Sequence, residues 1–287
     1  MQTERKVFYK TLLFWELAIG GLVLLIALII IIVGLSKPVN DDPEDESSFY
    51  QLEDTGDNQE DDLIPANPID LGDFAMEGEY LTCLTTPSVL GIDVSYWQGG
   101  AIDWQQVKAA GVEFVMIRAG WRGSEQGVLA EDDYAQINYA GATAAGIKVG
   151  AYFFSQAISV TEAVEEANFL LGIIKDWQLE MPVVYDWEFV SADSRTGKVS
   201  ARTLTDCTKA FCDTVALAGY EPMVYFNKDQ SFERLYLNEL TQYGFWLAQY
   251  DTVLNYPYKI DMWQYTETGA VPGIPGDVDI NLYFPWE

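Results

Sequence analysis

Short apolar runs alternate with longer amphipathic segments along residues 88–287, and this alternation predicts repeated strand–helix units. The apolar runs are rich in β-branched and aromatic residues and have the length of strands. Gly111, Gly146 and Gly219 each stand just before the next apolar run, where a helix needs a left-handed C-terminal cap. The predicted strands are Val89–Asp93, Val112–Arg118, Ile147–Phe154, Pro182–Glu188 and Pro222–Asn227, and the predicted helices are Trp104–Ala110, Asp132–Ala145, Val160–Asp176 and Ala201–Ala218.

After Asn227 the segments between predicted strands become shorter and leave little room for full helices. The three strands predicted there are Gly244–Gln249, Lys259–Tyr265 and Val278–Leu282. Eight strands in about 200 residues indicate an α/β protein with an irregular TIM-like barrel, in which five βα units precede three nearly helix-free strands. A doubly wound open sheet is the alternative, but the glycine-rich nucleotide fingerprint of that fold is missing.

The N-terminal part of the chain differs from residues 88–287 in its composition and hydropathy. Residues 17–35 are uncharged and mostly apolar, long enough to cross a bilayer as one transmembrane helix. Residues 1–16 carry Arg5, Lys6 and Lys10, so the positive-inside tendency places them in the cytoplasm and the rest of the chain outside. We therefore predict a single-pass signal anchor in the cell membrane. Cleavage near Gly34-Leu35-Ser36, or a buried core helix, are the alternatives.

Residues 36–87 are acidic, punctuated by proline and without hydrophobic periodicity. Residues 38–87 carry fifteen acidic and no basic side chains. Such a composition predicts a disordered, self-repelling linker that holds residues 88–287, the predicted catalytic barrel, away from the membrane.

Charge and composition limit which partners and which catalytic groups this chain can use. Formal net charge is −28, which excludes nucleic acid as a probable partner because phosphate backbones would be repelled. The chain contains no histidine, so histidine-dependent catalytic triads and the usual zinc sites are excluded. Carboxylates are left as the acid–base groups, and no metal or organic cofactor is called for.

The segment Met181–Val190 reads as a short buried strand that carries two carboxylates. Side chains alternate along a strand, so Asp186 and Glu188 share one face, with Cα atoms roughly 6.5 Å apart. Each hinders ionisation of the other, and partial burial adds to that cost. The pair suits a general acid beside a charge stabiliser, as glycoside hydrolysis requires. A strand running out into solvent is the alternative.

The ends of the other predicted strands carry further polar and aromatic side chains. In a parallel barrel these ends meet at one rim, where catalytic residues lie. An aspartate at one such end, taken alone, is better explained as a turn residue, but that explanation weakens when four carboxylates share a rim. The residues at the rim are Asp93, Arg118, Tyr152, Asp186, Glu188, Tyr225, Gln249, Trp263, Gln264 and Asp279.

Seven motifs, in order and at suitable spacing over residues 88–285, resemble glycoside hydrolase family 25, the lysozymes of the cellosyl and phage-endolysin type. They are Gly91–Gly99, Phe114–Ala119, Gly150–Phe154, Asp186–Glu188, Trp246–Tyr250, Trp263–Tyr265 and Val278–Asn281. The resemblance implies a barrel of five βα units plus three strands. It also implies hydrolysis of the β-1,4 bond between N-acetylmuramic acid and N-acetylglucosamine in peptidoglycan. Phe153 departs from the histidine of many members, a change expected to alter substrate contacts.

The resemblance also implies roles for individual residues. Glu188 would be the general acid, and Asp186 would stabilise the oxocarbenium ion or position the substrate's N-acetyl oxygen, with retention of configuration. Asp93 and Asp279 would shape the charge of the site and keep Glu188 protonated. The substrate-binding residues would be Tyr152, Tyr225, Arg118, Gln249, Trp263 and Gln264.

The sequence thus predicts a membrane-anchored extracellular muramidase that acts on peptidoglycan glycan strands and contacts the lipid bilayer through its N-terminal helix. A non-catalytic peptidoglycan-binding or scaffolding ectodomain on the same barrel is the alternative, because fold does not fix function. A glycosidase of chitin-like polymers is a third hypothesis.

Overall fold

A computed structural model describes residues 63–286. The strands are β1 (Phe74–Glu77), β2 (Tyr80–Cys83), β3 (Val89–Val94), β4 (Phe114–Arg122), β5 (Leu129–Glu131), β6 (Lys148–Ser155), β7 (Val183–Trp187), β8 (Pro222–Asn227), β9 (Gly244–Ala248), β10 (Met262–Gly269) and β11 (Val278–Tyr283). The helices are α1 (Trp104–Ala109), α2 (Ala135–Ala144), α3 (Val160–Ile174), α4 (Ala201–Leu217) and α5 (Lys228–Glu233), with a 3₁₀ turn at Leu237–Glu239.

Eight strands close into a barrel in the order β3, β4, β6, β7, β8, β9, β10, β11 and back to β3. The short β5 pairs with β4 outside this ring. Strand β11 runs antiparallel to both of its neighbours, whereas the other seven barrel strands run parallel. Residues 270–277 are too few for the crossover of about a dozen residues that a parallel return would need. The predicted α/β barrel with few helices after β8 is confirmed, and the antiparallel last strand is an addition to it.

The predicted helices form, with ends shifted by up to three residues. At the start of α3, the Ser159 hydroxyl accepts a hydrogen bond from the Glu162 backbone N–H at 3.4 Å. Gly111, Gly146 and Gly219 adopt φ values of +97°, +72° and +91°, which only glycine tolerates without strain. These glycines therefore end α1, α2 and α4 as their positions in the sequence predict.

Part of the segment predicted as disordered linker is folded. Strands β1 and β2 form an antiparallel hairpin, and Phe74 packs edge-on against Trp263 of the barrel with ring centroids 4.9 Å apart. The Leu81 backbone N–H donates to the Tyr265 hydroxyl at 3.4 Å. The prediction for residues 36–87 is thus wrong for residues 63–87. Some of its apolar side chains, such as Ile64 and Ile69, are buried through contacts distant in sequence, which local composition does not reveal, whereas Leu63, Leu71 and Leu84 are exposed.

The rest of the predicted linker and the predicted transmembrane segment, residues 17–35, lie outside the described residues. Within residues 63–286, no helix is long and apolar enough to span a bilayer.

The bottom of the barrel interior is filled by apolar side chains. Phe114, Met116 and Trp246 belong to this inner cluster, which also contains Met181, Val184, Met223 and Met262. Gly91 and Gly150 leave the space it needs, because a Cβ atom would lie 2.2 Å from the Phe114 ring at the first position and 2.5 Å from the Met116 methyl at the second. The interior is therefore closed below, and polar groups collect above this floor.

Candidate active site

A cavity of about 270 Å³ opens at the rim where the parallel strands end. Five carboxylates and one cationic side chain are among the residues that line it. The lining residues are Asp93, Ser95, Trp97, Gln98, Arg118, Tyr152, Phe154, Asp186, Glu188, Tyr225, Trp246, Tyr250, Gln264, Glu267 and Asp279. Among residues 63–286, no group of three or more acidic or cysteine side chains is arranged to hold a metal ion.

Asp93 and Asp279 form a hydrogen-bonded carboxyl pair. They are register partners of β3 and β11, and Asp279 reaches the rim because it lies near the start of the antiparallel strand. Burial raises the pKa of Asp93 to about 6, against the lowering effect of its hydrogen bonds. Burial, and then the charge of Asp93, raise the pKa of Asp279 to about 9. At neutral pH the pair therefore holds one proton, which Asp279 donates to Asp93.

Two side-chain amides hold Asp93 in place. Gln264 Nε2 and Asn281 Nδ2 each donate to Asp93 Oδ2 at 2.8 Å. The Tyr225 hydroxyl donates to Gln264 Oε1 at 2.8 Å, and the indole of Trp246 donates to Asn281 Oδ1 at 2.8 Å. Because each amide is bonded at both ends, the network fixes the position of the Asp93 carboxylate.

Asp186 and Glu188 form a second carboxyl pair at the end of β7. They share a hydrogen bond, and burial raises the pKa of both side chains. The charge of Glu188 adds to the effect on Asp186, and the charge of Asp93 adds to that on Glu188. Asp186 is 4% exposed, and its Oδ1 has no hydrogen-bond partner among the described residues. Two buried carboxyl groups in contact hold a proton between them and leave one acceptor free.

The backbone that carries this pair is anchored by two glutamine side chains. Gln156 Nε2 donates to the Glu188 carbonyl at 2.7 Å, and Gln230 Nε2 donates to the Trp187 carbonyl at 2.8 Å. Both glutamines are buried. These hydrogen bonds fix the backbone position of Trp187 and Glu188 at the end of β7.

Arg118 is the one cation among the described residues that line the cavity. Its Nε and Nη2 both donate to Asp132 Oδ2, at 2.8 and 2.7 Å. Its charge nevertheless lowers the pKa of Asp186 and of Glu188, opposing burial. Because Asp132 holds the guanidinium group, Arg118 acts on the acids from a fixed position.

Eight of the ten predicted site residues line the cavity, namely Glu188, Asp186, Asp93, Asp279, Tyr152, Tyr225, Arg118 and Gln264. Trp263 and Gln249 do not, which corrects the prediction for these two. Trp263 is fully buried against the hairpin, and its indole N–H donates to the Gln249 carbonyl at 2.8 Å. Neighbouring residues of a strand face opposite sides, so Gln264 points into the barrel and Trp263 points out.

The same alternation corrects the expectation for Phe153. Its ring is fully buried against Phe169 of α3, on the outer face of β6, and it does not line the cavity. Phe154 and Tyr152 face the cavity instead. The departure at position 153 therefore changes packing between barrel and helix, not a cavity contact.

Sequence reasoning missed Glu267 and several aromatic residues of the cavity. Strand β10 pairs irregularly with β11 around Thr266, so counting alternate residues from Gln264 does not place Glu267. Tyr250 and Trp97 stand beyond strand ends, and that position was the available signal, whereas Trp246 lies in the middle of β9. Glu267 adds a fifth carboxylate, and its charge contributes to the raised pKa of Asp279.

Proteins similar in sequence to this chain include lysozymes. The profile of Glycosyl hydrolases family 25 matches residues 92–274. Lysozyme M1 of Streptomyces globisporus is 28% identical over 208 residues, which cover 69% of this chain and 68% of that protein.

Two solved structures show the same barrel. The modular autolysin LytC of Streptococcus pneumoniae matches with a TM-score of 0.60 and 28% identity over 69% of this chain, but the match spans only 47% of LytC. The bacterial lysozyme of Streptomyces coelicolor matches with a TM-score of 0.54 and 28% identity, over 70% of this chain and 94% of that one. With the family profile matching well over half of its length, this chain belongs to glycosyl hydrolases family 25 and is a glycoside hydrolase.

Proposed function

We propose that this chain is a muramidase that hydrolyses the β-1,4 bond between N-acetylmuramic acid and N-acetylglucosamine in peptidoglycan. The observation that carries the proposal is the pair of neighbouring acids Asp186 and Glu188 in the cavity, where burial raises the pKa of both side chains. Two relatives support the substrate: one bears the name lysozyme, and LytC was solved with a synthetic peptidoglycan ligand.

Glu188 acts as the general acid. It is the more exposed member of its pair, and burial together with the charge of Asp93 raises its pKa. The raised pKa favours the protonated form of Glu188, which donates its proton to the leaving glycosidic oxygen.

Asp186 acts on the acetamido group of the sugar whose glycosidic bond is cleaved. Its unpartnered Oδ1 is free to accept the acetamido N–H, and that hydrogen bond favours ionised Asp186. The shared proton then belongs to Glu188, where catalysis needs it. The acetamido oxygen attacks the anomeric carbon as the glycosidic bond breaks and the leaving oxygen takes the Glu188 proton. Water then attacks the anomeric carbon and gives a proton to the Glu188 carboxylate, the bond to the acetamido oxygen breaks, and the configuration is retained.

The closeness of the two carboxyl groups supports this route. In ordinary glycosidases the acid and the second carboxylate flank the sugar about 5 to 9 Å apart. Asp186 and Glu188 stand two residues apart where β7 ends, and both line the same cavity. They therefore act from one side of the bond, and the substrate itself supplies the nucleophile.

The test is cleavage of purified peptidoglycan by the full chain, with fragments identified by liquid chromatography and mass analysis. We expect Glu188→Gln to lower the rate about 1000-fold or more, within the range of general acid catalysis. Glu113→Gln, an exposed carboxylate away from the cavity, is the matched control. Full activity of Glu188→Gln would overturn the assignment. Wall binding by the wild type without release of reducing ends would favour the non-catalytic scaffold.

We further propose that residues 17–35 anchor the enzyme in the cell membrane, with residues 1–16 in the cytoplasm and the barrel outside. The apolar run and the basic residues before it support this topology. Deleting residues 1–35 should move the chain from the membrane fraction to the soluble fraction. External protease should cut the intact chain beyond residue 35 in whole cells stripped of wall. Protection from that protease would contradict the topology.

A further inference from the structure

Trp97 combines exposure with a position at the cavity. Its side chain is 74% exposed although it lines the cavity, whereas Trp187, Trp246 and Trp263 are almost fully buried. An exposed indole leaves a large apolar face in water, and such faces at cavities usually meet a ligand. The catalytic roles proposed above leave this side chain without a function.

The loop that carries Trp97 is held rigidly. The Trp97 backbone N–H donates to the Ser95 hydroxyl at 3.3 Å, and the Ser95 N–H donates to Gln98 Oε1 at 3.0 Å. Gly99 closes the turn with φ at +72°, and Asn138 Nδ2 donates to its carbonyl at 3.2 Å. Because the backbone of the loop is bonded, the exposed indole is not a sign of a mobile segment.

The ring itself is supported from below. Tyr96 packs against Trp97 with ring centroids 4.3 Å apart, and the Arg118 guanidinium lies 5.1 Å from the Tyr96 ring centre. Asp132, which holds Arg118, also accepts a hydrogen bond from the Tyr96 N–H at 3.0 Å. A ring already ordered in this way loses little conformational entropy when a ligand stacks on it.

The size of the cavity indicates which ligand would stack on Trp97. At about 270 Å³ it lies just below the range of about 300–1,000 Å³ that is usual for ligand sites. It therefore holds little more than one sugar ring, and the rest of a glycan strand must cross the rim. We propose that Trp97 is a separate glycan subsite, where its indole stacks on the apolar face of a sugar next to the one in the cavity. This inference rests on the proposed muramidase function.

The test compares long and short substrates with the full chain. Trp97→Ala should lower kcat/KM about fivefold or more on long uncrosslinked glycan strands, mainly through KM, as the loss of one stacked ring predicts. On the shortest peptidoglycan oligosaccharide that the wild type cleaves, the loss should be at least threefold smaller. Trp97→Phe should recover most of the activity on long strands. Trp121→Ala removes a 37% exposed tryptophan that does not line the cavity and is the matched control.

The outcomes separate this inference from the function on which it rests. Equal losses on long and short substrates, no loss on either, or the same loss in Trp121→Ala would each overturn the subsite. A wild-type chain that cleaves no peptidoglycan would overturn the proposed function. In that case, tryptophan fluorescence of the wild type and of Trp97→Ala, titrated with the long strands, decides the subsite: equal affinity overturns it and weaker binding by the variant supports it.

Discussion

Buried carboxylates occur at two places in this protein, at the strand ends around the cavity and on α3 where it packs against the barrel, and their surroundings differ. In the cavity, Asp186 and Asp93 are 4% and 5% exposed, and each shares a hydrogen bond with another acid. Between the barrel and α3, Glu166 is fully buried, but Arg122 Nε donates to its Oε1 at 2.7 Å and the Ser155 hydroxyl donates to its Oε2 at 2.6 Å. The cavity places acid beside acid even where amides also donate, as they do to Asp93, whereas Glu166 is held by an arginine, a hydroxyl and a backbone N–H.

The difference separates a functional site from a structural one. Every donor around Glu166 is supplied by the fold: the Gln156 backbone N–H also donates to it, and Arg122 reaches the Gly127 and Glu162 carbonyls. The cavity instead keeps protons between acids and leaves Asp186 Oδ1 open. Buried charges with matched partners hold structure, whereas unmatched ones cost stability and are kept for chemistry.

The largest effect on stability is expected from breaking the structural group. Arg122→Met leaves Glu166 buried without its cation; burial already raises the pKa of Glu166 to about 7, so above that pH the loss should reach the cost of about 3–5 kcal/mol for breaking a buried pair. Urea unfolding followed by circular dichroism measures this loss. The folded fraction should keep its activity on peptidoglycan, because Arg122 does not line the cavity. A loss below about 1 kcal/mol, as for exposed pairs, would show that the contrast between the two groups does not hold.

The opposite effect is expected from Asp279 in the cavity. Asparagine copies the protonated carboxyl, so Asp279→Asn removes the cost of ionising this buried group and should raise Tm at pH 9 by on the order of 3 °C. It should also lower kcat, because asparagine cannot ionise or share a proton with Asp93, so the charge beside the catalytic acids changes. Thermal unfolding and the cleavage assay on the same sample measure both. A variant that is destabilised and inactive would mean that the pair holds structure.

The same pair makes stability depend on pH. Burial raises the pKa values of Asp93 and Asp279 to about 6 and about 9, above those of the unfolded chain. Between the pKa of these carboxyl groups in the unfolded chain and about pH 9, the folded state binds more protons than the unfolded state, so the free energy of unfolding falls as pH rises. We expect the Tm of the wild type to fall from pH 5 to pH 9. In Asp279→Asn the fall above pH 7 should be smaller. A Tm that rises over this range would contradict the assigned directions.

The sequence predicted the barrel because its signals are local: strand-length apolar runs, and glycines that end helices. It predicted Asp186 and Glu188 as one pair because strand alternation is also local. The partners of Glu166 could not be predicted, since Arg122 lies 44 residues earlier in the chain. The hairpin was missed for the same reason, because Phe74 packs against Trp263 and Phe284, which lie far along the chain.

Errors within the site have a geometric cause. Gln249 and Trp263 were chosen for standing at strand ends, but position along a strand does not tell which face a side chain occupies. The shared proton of Asp93 and Asp279 could not be predicted from sequence, because it depends on carboxyl groups from two different strands meeting. Asp93 and Asp279 meet only because the last barrel strand runs antiparallel and brings its start to the rim.

The smallest effect is expected at a third kind of charge pairing, on the surface. Arg202 donates to Asp206 at 2.7 Å and to Glu239 Oε2 at 3.0 Å, with about half of its side chain in solvent. Water and salt screen such pairs, so Arg202→Met should cost less than about 1 kcal/mol, decreasing with added salt. Urea unfolding at low and high salt, run beside Arg122→Met, measures both. A cost equal to that of Arg122→Met would show that burial does not decide what an ion pair contributes in this protein.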